Sequence, residues 1–491
     1  MSWIALKMLI GDRAKFFGIV LGLTFAALLI TQQGSIFCGL MSRTAGQIHD
    51  ITGADLWVMD SNVRFIDDVK PMRESNLYRV RGVEGVRWAV PLYKGNGRAK
   101  INSVGFALNP DFSPRLDPKT GQRIWGQRHE VIEQVILIGL DDASMVGAPP
   151  PSRILVGDLT DLRRPDAVIV DYNRLQKLFP GDDWKQEPKR PSFFAEVGKA
   201  VREFAKHPAT GTRYLVGQVV WMGDVTLGRL GRWATGSTAT TWAPAAASLR
   251  YPFPTLENDY NRQRGEFSRR FVGRELEMND HRAIIVGVCD ATRTFQSNAV
   301  MYTTYTRAKS FAPQERKILS YVLAKAEPGV PASVVASRIK DQTGLKALTS
   351  REFIDNTYEY YLKYTGIPIN FGITAMLGFV IGTAIAGQTF YLFTIDNLKQ
   401  FGALKAMGAT NMTIVGMILL QATVVGLLGY GLGVGLAALF GEVTKGGELA
   451  FFTHWSILPI TGVSVVLICV LSSILSVRRV VVLEPAVVFR G

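Results

Sequence analysis

Four long apolar runs, separated by polar segments, dominate the hydrophobic pattern of this chain of 491 residues. They cover residues 16–40, 367–395, 413–440 and 456–477, and we number them membrane helices 1 to 4. At a rise of about 1.5 Å per residue, each run can cross a hydrocarbon core of about 30 Å. The pattern therefore predicts four transmembrane helices.

A polar segment, residues 41–366, lies between membrane helix 1 and membrane helix 2. It alternates short β-like runs with helical periods, which is typical of an α+β domain. The predicted strands cover 54–59, 86–91, 131–140, 167–170, 283–289 and 318–324, and the predicted helices cover 74–81, 171–179, 331–342 and a last stretch from Ser350. The predicted fold class is an α-helical membrane protein with four transmembrane helices plus a large α+β extracytoplasmic domain inserted between helices 1 and 2.

One part of this domain, residues 182–270, differs from the rest in composition. It contains the sequence KQEPKRP, a tract of small residues from Ala234 to Ser248, and an arginine-rich segment. This pattern predicts an insertion or outer subdomain with long loops. Because strand signals recur on both sides of it, we expect the first and last thirds of the domain to share one core.

Most of the basic residues in the short flanks of the membrane helices lie on one side. The short loop 441–455 has only Lys445, whereas the other flanks carry Lys7, Arg13, Lys15, Lys399, Lys405, Arg478, Arg479 and Arg490. By the positive-inside rule, both termini, the loop 396–412 and the tail 478–491 are cytoplasmic, and the large domain lies outside. Within residues 1–15 and just beyond, a helical face that includes Trp3 and Ile10 predicts an amphipathic helix on the cytoplasmic surface.

The charge and the remaining chemistry narrow the function. Most of the net charge of +14 falls on the large domain. Such a surface can attract an anionic lipid or an acidic partner, or it is simply a solvated basic face. The predicted location of this domain outside the cytoplasm argues against binding to nucleic acid. Three cysteines make no disulfide framework, although Cys38 and Cys289 can pair, and the five histidines lack metal-ligand spacing. The chain has no GxxxxGK[ST], GxSxG or HExxH sequence, so we predict a non-catalytic protein that binds no cofactor or metal.

Small residues recur at four-residue spacing in three membrane helices, and such stripes let helices approach closely, within a subunit or across a dimer. The packing residues we predict are Gly18, Gly22, Gly378, Gly382, Gly429 and Gly433. Gln388 and Gln421 are polar residues within these helices, and interhelical hydrogen bonding explains them better than a transport role does. No charged residue lies in a helix core, so the energy for any transport comes from elsewhere.

The loop Asp396–Met412, with the sequence DNLKQFGALKAMGATNM, connects membrane helices 2 and 3. Its apolar period predicts a short helix parallel to the membrane, capped at its start by Asp396 or Asn397 and ended by a left-handed Gly408. Thr410 or Asn411 then caps membrane helix 3. Phe401 and Leu404 are available to enter a groove on a cytoplasmic partner, or they pack on the ends of membrane helices 2 and 3.

The four-helix layout and two short sequences resemble the permeases of the MacB and FtsX superfamily. The two sequences are NLKQFGALKAMGA at 397–409 and RRVVVLEPAVVFRG at 478–491, and they are most similar to the DevC-like branch. The resemblance covers the membrane portion well and the large domain only in outline. It implies that the loop contacts an ATPase through Asn397, Leu398, Lys399, Gln400, Phe401, Gly402, Leu404, Lys405, Met407 and Gly408. Family members often have an acidic residue where this chain has Gln400, so no salt bridge is implied there.

The resemblance further implies a homodimer in the bacterial inner membrane, surrounded by lipids, with two ABC ATPase subunits that hold ATP and Mg²⁺. In this family, motion passes through membrane helices 1 and 2 to the periplasmic domain. An adaptor and an outer-membrane channel then complete an exporter of a lipid, glycolipid, peptide or drug. Two alternatives remain open: an FtsX- or Bce-like signal transmitter that regulates a periplasmic enzyme or senses an antibiotic, and a membrane-anchored enzyme or receptor unrelated to ATPases.

Overall fold

The computed structural model describes residues 2–107, 124–188, 254–313, 318–444 and 447–481, together with 109, 115, 117 and 118. Within these residues, four helices are long and apolar enough to cross a membrane. A large domain of strands and short helices lies between the first of them and the other three. The predicted fold class is therefore confirmed.

The helices of the membrane unit are longer than the apolar runs. Membrane helices 1 to 4 are α2 (Arg13–Thr44), α10 (Ile367–Asp396), α12 (Asn411–Thr444) and α13 (Ile457–Val481). Polar turns extend them because a helix outside the hydrocarbon core can still satisfy its own backbone. At the start, α1 covers Ser2–Gly11 and not residues 1–15, since the Asp12 carboxylate accepts a hydrogen bond from the Lys15 N–H and caps α2.

The predicted packing glycines all lie against other helices of the same chain. Gly22 lies beside Ile385, Gly18 beside Thr389, Gly378 beside Leu29 and Gly382 beside Ala26, whereas Gly429 and Gly433 lie beside Leu23 and Ala27. Membrane helix 1 is thus the central helix, clasped by membrane helices 2 and 3. The close approaches are within one subunit.

A ten-stranded sheet forms the centre of the large domain, with spatial order β10-β1-β9-β2-β3-β8-β5-β7-β4 and β6 beside β2 and β7. The pairs β3–β8 and β5–β7 are parallel, and the others are antiparallel. The strands are β1 (Leu56–Met59), β2 (Val86–Phe106), β3 (Trp125–Leu140), β4 (Ile154–Val156), β5 (Ala167–Asp171), β6 (Glu275–Met278), β7 (His281–Cys289), β8 (Ala299–Thr304), β9 (Tyr321–Ala326) and β10 (Lys346–Thr349). The sheet therefore joins chain segments from both sides of the predicted insertion.

The short helices of the large domain are α3 (Gly46–Asp50), α4 (Ser75–Arg81), α5 (Leu175–Leu178), α6 (Pro254–Ser268), α7 (Tyr305–Phe311), α8 (Ala332–Thr343) and α9 (Ser350–Tyr364). The helix predicted over 171–179 is wrong in extent. The Asp171 carboxylate does cap the turn, accepting from the Asn173 N–H at 3.1 Å, but a 3₁₀ turn at Tyr172–Arg174 precedes the four-residue α5. Most of the predicted insertion, including the small-residue tract 234–248, lies outside the described residues.

Two covalent connections join the large domain to the membrane unit. Membrane helix 1 continues into α3, whose Asp50 is held by Arg153 and by the Thr292 N–H at 2.6 Å. α9 leads into membrane helix 2 and begins with a capping box formed by Thr349 and Glu352. The hydrogen bonds of Asp50 thus anchor the stalk of membrane helix 1, whereas the stalk of membrane helix 2, α9, follows directly on the sheet strand β10.

Candidate functional site

The loop between membrane helices 2 and 3 contains the predicted short helix. This helix, α11, covers Leu398–Ala406, and we call it the coupling helix after the role that the resemblance implies. Gly408 has a φ of 95°, and the N–H of Ala409 donates to the Leu404 carbonyl at 3.0 Å, so the left-handed ending is confirmed. The Thr410 hydroxyl accepts from the Thr413 N–H at 3.3 Å and caps membrane helix 3, as predicted.

The start of the coupling helix differs from the prediction. The Asn397 side chain donates to the Phe393 carbonyl at 2.8 Å, which ties it back to membrane helix 2. The Asp396 carboxylate pairs with Lys15 of membrane helix 1. Neither side chain caps the helix, because each has a stronger partner in a neighbouring turn or helix.

Lys15 also contacts Asp12, with 2.7 Å between Nζ and Oδ2. This ammonium lowers the pKa of the Asp12 carboxyl. One cation therefore links the start of membrane helix 1 to the end of membrane helix 2, directly beside the coupling helix.

Phe401 and Leu404 are buried, with exposed fractions of 0% and 6%, so the prediction that they enter a groove on a partner is wrong. They pack with side chains from three other helices: Ala5, Ile414, Met417, Ile418 and Val480. The alternative, that they pack inside the chain, is correct, although the contacts come from α1 and membrane helices 3 and 4. Burial there attaches the coupling helix to the membrane unit.

The sequence analysis did not predict that α1 contributes residues to this site. The buried Gln421 side chain of membrane helix 3 donates to the Ala5 carbonyl at 2.7 Å, and Leu9 is fully buried. The interhelical hydrogen bond predicted for Gln421 is present, whereas Gln388 is exposed. Ala5 and Leu9 are four residues apart, which marks a second, inward face of α1, while Trp3 and Ile10 remain exposed at 67% and 59%.

The remaining predicted residues divide by exposure. Lys399, Gln400, Met407 and Gly408 are exposed, Gly402 is buried, and Leu398 and Lys405 are intermediate. The Lys405 ammonium donates to the Val481 carbonyl at 2.9 Å, which joins the coupling helix to membrane helix 4. Met407 is 75% exposed and Met412 80%, so two flexible apolar side chains are exposed in the same loop as Lys399 and Gln400. We call Lys399, Gln400, Met407 and Met412 the outer face.

Comparison with known proteins finds relatives of the part of the chain that contains membrane helices 2 to 4. Residues 368–485 match the family described as FtsX-like permease C-terminal. An uncharacterised ABC transporter permease of Mycobacterium bovis is 32% identical over 123 residues, which are 24% of this chain and 33% of that protein. Another uncharacterised ABC transporter permease, from Mycobacterium tuberculosis, is 29% identical over 119 residues. The matched part spans about a third of the length of these curated relatives.

Two solved structures resemble the chain more distantly. The extracellular domain of the noncanonic ABC-type transporter YknZ from Gram-positive bacteria has 12% identity, a TM-score of 0.28, and covers 60% of this chain and 98% of its own. The periplasmic region of MacB from Actinobacillus actinomycetemcomitans has 10% identity, a TM-score of 0.27, and covers 64% and 95%. Likenesses this distant carry no functional conclusion. The resemblance to the MacB and FtsX superfamily is confirmed for residues 368–485 by the match to FtsX-like permeases, while the DevC-like branch stays a prediction.

Proposed function

We propose, from the match of residues 368–485 to the FtsX-like permease C-terminal family, that the chain is the membrane subunit of an ABC transporter whose coupling helix docks a separate ATPase. The observation that carries the proposal is the division of that helix into two faces. Phe401 and Leu404 fix it to three other helices, while Lys399 and Gln400 on the helix, and Met407 directly after its last residue, are exposed. A force applied to the outer face therefore moves the membrane unit and does not merely bend a loop.

The outer face is cytoplasmic in this proposal. Lys7, Arg13, Lys15, Lys399 and Lys405 all lie at the end of the membrane unit that holds the coupling helix, where Lys15 pairs with Asp396. Positive residues at the ends of membrane helices favour the cytoplasmic side. Both termini are then cytoplasmic, and the large domain lies in the periplasm.

The ATP and Mg²⁺ belong to the partner, and this chain is a non-catalytic subunit. The helix cores carry no charged residue that could couple transport to an ion gradient. We infer instead that ATP binding moves the coupling helix, and that membrane helices 1 and 2 pass the motion to the sheet through their anchored stalks. The chain thus works by mechanotransmission.

A second copy of the chain completes the assembly that we propose, with one ATPase subunit on each copy. Membrane helix 2 supports this arrangement, because it exposes a continuous apolar face. Ile369, Ile373, Met376 and Val380 on that face are 66%, 56%, 67% and 52% exposed. A second copy and membrane lipids can cover it together.

Export is the transport direction we propose, with a lipid, glycolipid, peptide or drug passed to a periplasmic adaptor and an outer-membrane channel. A large domain that is moved from the membrane suits a hand-over to partner proteins outside. An active complex that exports nothing and instead changes the activity of a periplasmic enzyme would support the signal-transmitter alternative.

The test is co-purification of the full chain with its ATPase subunit after co-expression, followed by ATPase assay. Met407→Asp places a carboxylate on the outer face, and we expect at least tenfold weaker ATPase retention with the chain still inserted in the membrane. Ile132→Asp is the matched control, since Ile132 is 62% exposed on the large domain. If the ATPase does not bind the wild-type chain, the proposed function is wrong. If it still binds the Met407→Asp variant at the wild-type level, the outer face is not the docking surface.

A further inference from the structure

The loop between membrane helices 3 and 4 is attached to the large domain by three basic side chains. We call residues 447–453 the clasp loop. The Glu448 carboxylate accepts from Arg174 Nη1 at 2.8 Å and from Lys177 Nζ at 2.5 Å, through the same oxygen, Oε1. Arg293, which lies between β7 and β8, donates to the Gly447 carbonyl at 2.6 Å.

The clasp loop also contacts the end of membrane helix 1. Arg43 donates to the carbonyls of Glu448 and Leu449 at 2.7 and 3.1 Å. A Cβ atom placed on Gly39 would lie 2.5 Å from the Ala450 carbonyl oxygen, so only glycine lets the loop lie this close to the helix. The loop therefore sits between membrane helix 1 and the base of the sheet.

One backbone hydrogen bond fixes the far end of the clasp loop. The Phe452 N–H donates to the Ser35 carbonyl at 3.0 Å, and the Thr453 and Ser35 hydroxyls are 3.0 Å apart. The Phe452 amide exchanges with solvent only when this contact opens, which makes it a reporter of the loop.

The Glu448 side chain is 58% exposed, but one of its two cationic partners, Arg174, is buried. Hydrogen bonds from Lys177 and then Arg174 lower the pKa of the Glu448 carboxyl to about 2, well below its usual range. The Arg174 side chain is only 6% exposed, and its Nη2 is buried without a hydrogen-bond partner. Removing Glu448 would leave a buried guanidinium without its carboxylate, and such unpaired buried charges are costly.

We propose that the clasp loop is a third connection between the membrane unit and the large domain, closed by Glu448 on Arg174 and Lys177. It lets membrane helices 3 and 4 push on the sheet, in addition to the stalks of membrane helices 1 and 2. Membrane helix 3 begins next to the coupling helix and ends next to the clasp loop, about 50 Å away at about 1.5 Å per residue. The source of the push rests on the proposed function, whereas the closure of the loop does not.

Closure is tested first on the full chain alone, in lipid nanodiscs. Glu448→Lys puts a fifth cation among Arg43, Arg174, Lys177 and Arg293, and we expect hydrogen exchange of peptides covering 447–453 to become at least about tenfold faster. Glu448→Gln, which keeps the side-chain size, should give a smaller increase. Glu359→Lys is the control, since Glu359 forms an exposed pair with Lys363 on α9. Unchanged exchange in both Glu448 variants would overturn the clasp.

The mechanical role of the clasp loop is tested in the complex with the ATPase bound. Glu448→Lys should keep ATPase binding within twofold of the wild-type level while reducing the nucleotide-dependent displacement of the large domain by at least half. A full displacement in this variant would overturn the third connection and leave the proposed function intact. Failure of the wild-type chain to bind the ATPase would instead refute the proposed function, and the exchange result on the chain alone would still decide whether the clasp closes.

Discussion

Phe401 and Met407 lie six residues apart and have opposite surroundings. Phe401 is fully buried among helix ends, whereas Met407 is 75% exposed. We expect Phe401→Ala to lower the free energy of unfolding by about 3 kcal/mol, because truncating a buried aromatic ring removes contacts and leaves a cavity.

The measurement is denaturant unfolding of the full chain in detergent. Met407→Ala is the control, and its effect should stay within about 0.5 kcal/mol, as is usual for exposed positions. Equal losses for the two variants would mean that Phe401 does not fix the coupling helix.

Asp171 makes stability depend on pH. Burial, and secondly the nearby Asp290, raise the pKa of its carboxyl to about 7. Between its ordinary pKa of about 4 and pH 7, the folded chain keeps a proton that the unfolded chain has released, so this group lowers stability as pH rises through that window. Above pH 7 its contribution is constant.

Asp171→Asn keeps an oxygen to accept from the Asn173 N–H but cannot ionise. We expect the variant to gain stability relative to the wild type between pH 5 and pH 7.5, by up to a few kcal/mol, since one pKa unit corresponds to about 1.4 kcal/mol. Thermal unfolding at pH 5 and pH 7.5 measures this difference in stability. The control is Asp341→Asn, because Asp341 is exposed. A wild-type curve parallel to that of Asp171→Asn would contradict the raised pKa.

At the scale of elements, local patterns predicted most of the fold. The long apolar runs predicted the membrane helices, and Gly408 predicted the end of the coupling helix. Both predictions succeeded because each signal depends only on residues that are neighbours in sequence. The partner of Phe401 and Leu404 could not be predicted. An apolar helix face has the same sequence pattern whether it packs inside the chain or on another protein. Here Ala5 of α1, more than 390 residues away in sequence, packs with Phe401 and Leu404 and helps to bury them.

The β2–β3 hairpin shows the same limit. The predicted strand 86–91 stops before Lys94, Gly95 and Asn96, which resemble a turn, but β2 continues to Phe106. Pairing with β3 satisfies that backbone, and the buried Lys94 ammonium is held by Asp67 and by the Ile66 carbonyl at 2.9 Å. A distant carboxylate thus makes a charged residue acceptable inside the sheet.

The packing of membrane helix 3 on membrane helix 1 offers a matched pair of glycines. A Cβ on Gly433 would lie 2.5 Å from the Ala27 Cβ, whereas one on Gly431 would meet nothing within 4 Å. We expect Gly433→Leu to destabilise the chain by about 1–3 kcal/mol or more through overpacking, and Gly431→Leu to have little effect. Thermal unfolding in detergent measures both, and similar melting temperatures would contradict the close helix contact.

At the scale of the whole molecule, the contacts form a continuous path. The coupling helix is attached to α1 and membrane helices 3 and 4, Lys15 joins membrane helices 1 and 2 beside it, and Gly22, Gly382 and Gly433 keep the helices in close contact. At the other end, Arg153 and Thr292 hold Asp50 of the first stalk, and α9 of the second stalk follows directly on the sheet strand β10. A displacement of the outer face therefore has a route to the large domain.

The most direct test of this account measures that displacement. Spin labels at Ile132→Cys, on the large domain of both copies in the reconstituted complex, report the distance between the two domains with ADP and with ATP trapped on the ATPase. We predict a clear nucleotide-dependent change in the wild-type background and its loss in Met407→Asp. The same distance in both nucleotide states, with the ATPase bound, would contradict the claim that the coupling helix moves the large domain.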